Sequence, residues 1–256
     1  ILLNGKDLLK EDKKGMRKIR GREVAMIFQE PMNSLNPCMR IEKQLTEAIL
    51  LHNNFSKEEA HNRAFEVLKS VGIPEPDMTL KSYPHQLSGG MCQRVMIAMA
   101  MSCEPELLIA DEPTTALDVS IQAQVLNLLQ QLQKEFNLTY LFISHDLSVV
   151  EMISDRIGVM YLGTIVETAP KKELYANPRH PYTRALLSAV PIPDPDLTKE
   201  RITLKGDLPS PSNPPSGCLF HTRCPHCTEK CKTQVPTPVE IAPGHIVKCH
   251  YPEITE

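Results

Sequence analysis

The sequence predicts an α/β fold built on a parallel sheet with crossover helices. Short apolar runs bounded by polar residues predict buried strands, and three such runs occupy residues 24–28, 107–110 and 138–143. Between the last two runs, apolar residues recur with the spacing of one face of an amphipathic helix: Ile121, Val125, Leu128, Leu129, Leu132 and Phe136. A strand, a helix and a second strand in this order indicate parallel neighbours joined by a crossover.

Size and composition are those of a globular protein with one large or two modest domains. The chain has 256 residues, of which 41% are hydrophobic and 23% charged. Its net charge of −3 argues against a nucleic-acid partner, which favours a basic stripe or a high pI. We find neither an apolar run of roughly 18 residues nor a secretory leader pattern. We therefore expect a cytoplasmic protein that attaches to a membrane only through partners.

The segments before the second strand run are predicted to be mostly helical. Residues 1–6 predict a strand running into a turn, and residues 7–22 a charged helix with a loop. Ser56 and Glu59 have the spacing of a capping box at a helix start, and Gly72 is placed to end that helix. Residues 38–85 therefore form a helical insertion.

The last third of the chain is predicted to contain a hairpin followed by a proline-rich region. Residues 157–161 and 164–167 flank Leu162-Gly163, which predicts a hairpin. From residue 170 onward prolines cluster, and this composition predicts an irregular, extended region. A short helix containing residues 185–187 is expected within it.

Two stretches carry the chemistry. Leu87-Ser88-Gly89-Gly90-Met91-Cys92-Gln93 is a glycine-containing turn that opens an apolar helical run, and such a turn lets backbone N–H groups approach an anion. Asp111 and Glu112 follow the strand of residues 107–110 and place two carboxylates at its carboxyl end. An anion-binding helix start beside a pair of carboxylates indicates phosphate and Mg²⁺.

These stretches resemble motifs of the nucleotide-binding subunits of ABC transporters. Residues 87–93 match the family's signature motif, Asp111-Glu112 the end of its Walker B strand, and residues 116–118 its D-loop. Gln29, which follows a strand and precedes Glu30-Pro31, resembles the Q-loop glutamine, and His145 the switch histidine. The resemblance implies a P-loop NTPase-like ABC ATPase domain over residues 1–169, with residues 38–85 as its helical subdomain.

The resemblance also implies the roles of individual residues in ATP hydrolysis by in-line attack of water. Asp111 holds Mg²⁺, Glu112 is the general base, and Gln29 and His145 position metal, water and γ-phosphate. Ser88, Gly89 and Gly90 bind the γ-phosphate of an ATP held by a second ATPase subunit, and Asp118 communicates across that interface.

The segment of residues 177–183, Asn-Pro-Arg-His-Pro-Tyr-Thr, narrows the resemblance. It is similar to the start of the C-terminal extension in oligopeptide and dipeptide ABC ATPases, so residues 170–256 are expected to be that extension. The implied partners are a related but different ATPase subunit forming a heterodimer, two transmembrane permease subunits and an extracytoplasmic substrate-binding protein. The implied location is the cytoplasmic face of the cell membrane.

Other functions stay open at this stage. Related ATPases serve nickel importers, so nickel is an alternative substrate. A soluble ABC ATPase of DNA repair or translation is a second alternative, and an iron–sulfur redox protein with a relic ATPase domain is a third.

Five of the eight cysteines fall in the last 40 or so residues: Cys218, Cys224, Cys227, Cys231 and Cys249. Clustered thiols in a cytosolic chain indicate metal ligation, by zinc or an iron–sulfur cluster. Four of them, at positions 218, 224, 231 and 249, match the cysteine set of dipeptide-type ATPases, some of which are implied to hold a four-iron, four-sulfur cluster. Cys227 is extra to that pattern. An exchange of Cys227 with Cys231, or zinc held with His226 or His250, therefore stays open.

One expected motif is absent from the 256 residues. No Gly-x-x-x-x-Gly-Lys-Ser/Thr phosphate loop is present, and Gly5-Lys6-Asp7 does not match one. Because the chain also starts at Ile1 inside an apparent strand, we expect a fragment of a longer ATPase, incomplete at its N-terminus. The ATPase activity is therefore expected of the intact parent.

Overall fold

The computed structural model describes residues 1–115, 117–190 and 201–252. The chain divides into two compact units, Ile1–His145 and Asp146–Glu256. Within the described ranges, no helix combines the length and the apolar character needed to cross a membrane.

The first unit contains a parallel sheet and most of the helices. Its strands are β1 (Leu2–Leu3), β2 (Lys6–Asp7), β3 (Val24–Ile27), β4 (Leu107–Asp111) and β5 (Thr139–Ile143). Its helices are α1 (Lys13–Ile19), α2 (Pro31–Ser34), α3 (Ile41–His52), α4 (Lys57–Ser70), α5 (Pro76–Lys81), α6 (Gly89–Met101) and α7 (Val119–Phe136). Short 3₁₀ helices span Leu8–Lys10 and Pro84–Gln86.

The predicted parallel sheet is confirmed. β4 lies in the middle and pairs in parallel with both β3 and β5. Its Leu108 and Ala110 are fully buried, as expected of a strand between two neighbours. Because all three strands run the same way, their carboxyl ends meet at one edge of the sheet.

The helices between β3 and β4 begin and end as the sequence predicts. α4 starts with a complete capping box, in which Ser56 Oγ accepts from the Glu59 N–H and Glu59 Oε2 accepts from the Ser56 N–H. Gly72 follows it with a φ of +74°, a conformation that glycine adopts without strain. The range 38–85 contains α3, α4 and α5, and its role as a helical subdomain stays a prediction.

The second unit combines a four-stranded antiparallel sheet with short helices. Its strands are β6 (Arg156–Tyr161), β7 (Thr164–Pro170), β8 (Val239–Ala242) and β9 (His245–Val247), in the order β6-β7-β9-β8. Its helices are α8 (Leu147–Ile153), α9 (Lys171–Ala176), α10 (Pro181–Ser188) and α11 (Glu229–Thr233), with a 3₁₀ helix at His221–Arg223. The predicted hairpin at Leu162-Gly163 is confirmed.

The expectation of an irregular chain after residue 170 is wrong for its last part. β8 and β9 form a hairpin, and β9 pairs with β7. The apolar pattern of this hairpin is short and flanked by prolines, so the sequence did not predict it. The hairpin is stable because β9 pairs with β7, since an isolated two-stranded hairpin is only marginally stable. Residues 191–200, part of the predicted irregular region, lie outside the described residues. The domain boundary at 169/170 stays a prediction.

Candidate functional site

Glu112 lies at the carboxyl edge of the parallel sheet in an unusual backbone conformation. It directly follows β4, and its φ is +47°, in the left-handed region that costs a non-glycine residue about 1 kcal/mol or more. Its N–H donates to the Ile143 carbonyl oxygen at 3.0 Å, which ties it to the end of the neighbouring strand β5. The sheet therefore fixes the direction of the Glu112 side chain.

Three side chains converge on the Glu112 carboxylate. Gln29, two residues beyond β3, donates from Nε2 to Oε2 at 2.7 Å. His145, two residues beyond β5, places Nδ1 3.0 Å from Oε1. Thr115 donates from Oγ1 to Oε2 at 3.0 Å. The structure thus brings together the three residues for which the sequence predicts catalytic roles, and adds Thr115.

This arrangement favours the ionised form of Glu112. The hydrogen bond with His145 comes first among the causes that lower the pKa of the Glu112 carboxyl, followed by the hydrogen bond from Thr115. The His145 side chain is 68% exposed and that of Glu112 22% exposed, so both are open to a ligand. An ionised carboxylate that solvent reaches, held by an imidazole and an amide, can accept a proton from water.

Asp111 is the last residue of β4 and pairs in register with Ile143. It is half-buried, and it neighbours Glu112 along the chain as the sequence predicts. Two carboxylates at one strand end are a donor set that Mg²⁺ prefers. The residues present therefore fit the metal that ATP chemistry requires.

The predicted anion-binding turn begins α6. Ser88 is its N-cap residue, and Ser88 Oγ accepts from the Met91 N–H at 3.3 Å. Gly89 is exposed, and a Cβ added at Gly90 would lie only 3.1 Å from Ile121 Cγ2 on α7. The absence of a side chain at residue 90 therefore lets the turn approach the start of α7.

Asp118 begins α7 beside that turn. Its Oδ1 accepts from the Ile121 N–H at 2.9 Å, so the same residue that packs against Gly90 is fixed by the Asp118 cap. Ala116, which belongs to the predicted D-loop, lies outside the described residues. The signature turn and the Asp118 helix start are adjacent in the first unit.

The predicted cysteine ligands share a cavity in the second unit. Four thiol residues line it, together with histidines on several sides: Cys218, Cys224, Cys231, Cys249, His180, His221, His226 and His250. Cys227 is not among the lining residues, and its Sγ lies 3.6 Å from the Thr228 carbonyl oxygen. Four thiols on one cavity are a donor set that suits a metal cluster.

The cavity in this form is not a coordination sphere. In the described part of the chain, no group of three or more His, Cys, Asp or Glu side chains is placed to hold a metal ion. Burial raises the pKa of Cys224 to about 11 and also raises the pKa of Cys218 and of Cys249. These thiols are therefore protonated at neutral pH until a metal replaces the proton.

Gly217 holds two of the four thiol residues together. Its φ is +65°, and a Cβ at this position would lie 2.4 Å from the Cys231 carbonyl oxygen. The same oxygen accepts from the Cys218 N–H at 2.8 Å. Only glycine permits this close approach of the two chain segments.

Glu167 is a buried carboxylate that the sequence did not predict. It connects β7 with the start of α10 and with β9. Glu167, in the middle of β7, accepts from the backbone N–H groups of Arg179 at 2.7 Å and His180 at 2.9 Å. His245 Nε2, on β9, lies 2.8 Å from Glu167 Oε1, and both side chains are almost completely buried. Nothing local in the sequence marks Glu167, because its burial depends on residues far along the chain.

Comparisons with known proteins identify the family that this chain resembles. The family model described as "ABC transporter" matches residues 1–115, and the one described as "Oligopeptide/dipeptide transporter, C-terminal region" matches residues 166–231. The oligopeptide transport ATP-binding protein AppF of Bacillus subtilis is 52% identical over 98% of this chain and 76% of its own length. The dipeptide transport ATP-binding protein DppD of Escherichia coli is 50% identical over 97% of this chain and 76% of its own length.

Solved structures agree on the fold. The ATP-binding cassette MJ0796, as a dimer bound to ADP and phosphate, superposes with a TM-score of 0.59 at 27% identity. That match covers 66% of this chain and 72% of the cassette. The CbiO1 protein of Clostridium perfringens, part of an ABC transporter complex, gives a TM-score of 0.59 at 28% identity, over 68% of this chain and 67% of its own.

Proposed function

This chain belongs to the ATP-binding proteins of oligopeptide and dipeptide transporters within the ABC transporter family, and we propose that it powers the import of peptides by hydrolysing ATP. The observation that carries the proposal is the carboxylate of Glu112 held between Gln29 and His145 at the edge of the sheet. The 256 residues contain no phosphate-binding loop of the Gly-x-x-x-x-Gly-Lys-Ser/Thr type, so the activity is that of a protein in which this chain is joined to one.

The roles of the site residues follow from their chemistry. Asp111 is the residue of this chain that would hold Mg²⁺, which would supply neutralisation of charge on the phosphates. Glu112 accepts a proton from the attacking water, because its carboxyl is ionised and reached by solvent. Gln29 and His145 orient that water and the γ-phosphate.

The signature turn works on a second nucleotide. Ser88, Gly89 and Gly90 bind the γ-phosphate of the ATP that a second ATPase subunit holds. Asp118 communicates across the interface between the two subunits. The position of the turn beside the exposed start of α7 supports this, since Val119 is 84% exposed. The partner subunit is a different ATPase of the same family, so the active pair is a heterodimer.

ATP-binding proteins of this family work with membrane permease components. We propose that this chain docks on two permease subunits at the cytoplasmic face of the membrane and that a substrate-binding protein outside delivers the peptide. Helices α3 to α5 would form the docking part.

The test is ATP hydrolysis by the full-length subunit assembled with its partner ATPase and permeases. Hydrolysis should rise with a peptide-loaded binding protein and be lost in Glu112→Gln, while Glu135→Gln, a change at an exposed position on α7, should leave it intact. If a peptide-loaded binding protein left hydrolysis unchanged and a nickel-loaded binding protein raised it, the transported substrate would be nickel rather than peptide. Hydrolysis that persists in Glu112→Gln would refute the role of Glu112.

We propose in addition that Cys218, Cys224, Cys231 and Cys249 hold a four-iron, four-sulfur cluster with a structural role. The shared cavity supports this proposal, and ligation requires each thiol to lose its proton and the lining to close on the cluster. Anaerobic purification should yield iron and acid-labile sulfide in equal amounts, with both lost in Cys224→Ser and kept in Cys227→Ser. If the purified protein contained zinc but no sulfide, the four cysteines would form a zinc site and not an iron–sulfur cluster.

A further inference from the structure

Residues 10–22, called here the basic segment, concentrate positive charge in an acidic chain. The segment contains seven of the 28 Lys and Arg residues but only two of the 31 Asp and Glu residues. All seven of its cations are exposed: Lys10, Lys13, Lys14, Arg17, Lys18, Arg20 and Arg22. The rest of the chain is therefore strongly acidic, and this surface stands out against it.

The two acidic residues of the segment are already engaged. Glu11 Oε1 lies 3.2 Å from Lys6 Nζ, and Asp12 Oδ1 caps α1 by accepting the Gly15 N–H at 2.7 Å. Across the ranges that the structure describes, none of the seven exposed cations lies within ion-pair distance of a carboxylate. Their charge is thus available to a partner.

The cations are displayed on ordered structure. α1 is amphipathic: Met16 is half-buried and Ile19 is 2% exposed, whereas the lysines and Arg17 lie on the outer side. The turn that follows is closed by the Gly21 N–H, which donates to the Val24 carbonyl oxygen at 2.8 Å. Binding would therefore cost little ordering of the backbone.

The charges also act together at one place. Burial lowers the pKa of His52 at the end of α3, and the charges of Arg22 and Arg17 lower it further. Two cations of the segment are thus close enough to act on the same imidazole. A combined field of this kind attracts an extended anionic surface more strongly than a single anion.

We propose that the basic segment binds the anionic phospholipid headgroups of a bilayer. Clusters of four to eight Lys and Arg residues on an amphipathic helix are the form in which proteins bind such headgroups. The choice of a lipid surface over other polyanions rests on the proposed function, because a transporter subunit works beside a bilayer. The contact would hold the subunit against the membrane in addition to its permease contacts.

The test is co-sedimentation of the full-length subunit, without permeases, with mixed phosphatidylglycerol–phosphatidylcholine vesicles. The wild type should bind these vesicles, release them as salt is raised, and ignore pure phosphatidylcholine. Replacing Lys13, Lys14, Arg17 and Lys18 together by Gln should weaken binding by up to about a thousandfold at low salt. A matched variant that replaces four exposed lysines elsewhere in the first unit, Lys43, Lys57, Lys69 and Lys81, should bind like the wild type.

Other outcomes decide against the inference. Equal loss in both variants would mean that net charge alone governs binding, and tighter binding to a uridine homopolymer RNA would make the partner a nucleic acid. Should the first variant unfold, lysine acylation of the wild type replaces it: vesicles should protect Lys13, Lys14 and Lys18 but not Lys43. ATP hydrolysis by the first variant in the detergent-solubilised transporter should be unchanged, which separates this inference from the proposed function.

Discussion

Replacing His245 by Ala is expected to destabilise the second unit by about 2 kcal/mol or more. The change removes the only side chain among the described residues that hydrogen-bonds to the carboxylate of Glu167. Both side chains are at most 1% exposed, so water cannot replace the lost partner without opening the structure.

The magnitude follows from what remains around Glu167. Leaving a buried polar group without its hydrogen-bond partner costs about 1–3 kcal/mol, and more when that group is charged. Here the backbone N–H groups of Arg179 and His180 still donate at 2.7 and 2.9 Å, which places the expected loss within that range. The space vacated by the imidazole adds a packing loss.

The assay is urea unfolding of the full-length subunit, followed by hydrogen exchange at the amides of β7 and β9. Exchange there should quicken in His245→Ala, because β9 is held to β7 beside this pair. His61→Ala is the matched control, since His61 Nδ1 also lies 2.8 Å from a carboxylate, Glu42 Oε1, but the two side chains are 41% and 39% exposed. If the two variants lost equal stability, the argument that a buried carboxylate depends on His245 would be refuted.

Three further changes test other parts of the structure. Gly217→Ala should cost about 2–4 kcal/mol, because it adds a clash with the Cys231 carbonyl oxygen to the strain of a positive φ, and urea unfolding measures it. Burial lowers the pKa of His180 to about 4, so the folded unit resists its protonation. Stability should therefore fall by about 3 kcal/mol as the pH drops from 6.5 towards 4, seen in thermal melts across that range. Arg94→Ala should cost the first unit about 1–2 kcal/mol, because Arg94 Nη1 donates to the Val71 carbonyl oxygen at the end of α4, at 2.6 Å.

Each of these changes has its own control. Gly163 also has a positive φ but no atom within 4 Å of an added Cβ, so Gly163→Ala should cost only the backbone strain of about 1 kcal/mol. His180→Asn keeps a side-chain acceptor for the Tyr182 N–H and should flatten the pH dependence. Arg22→Ala, at an exposed position, should leave stability nearly unchanged. An unaltered pH dependence in His180→Asn, or equal losses within either of the other pairs, would contradict the stated cause.

The sequence alone determined the elements and the chemistry at their ends. Strand runs, the capping box at Ser56 and the Leu162-Gly163 turn are local patterns, and each is confirmed. The polar residues Gln29, Glu112 and His145 could be assigned to strand ends for the same reason. The composition of the tail did not predict its hairpin, because β8 and β9 are too short to be stable without β7.

The tertiary structure decided which of these residues meet. Gln29 and His145 reach the same carboxylate only because β4 lies between β3 and β5, an order that no local pattern encodes. The turn after Glu112 brings the Thr115 hydroxyl to the Glu112 carboxylate, a contact that the sequence did not predict. The left-handed backbone conformation of Glu112 was not predicted either. The pairing of Glu167 with His245 joins residues 78 positions apart, and burial, which makes that pairing necessary, exists only once the chain has folded.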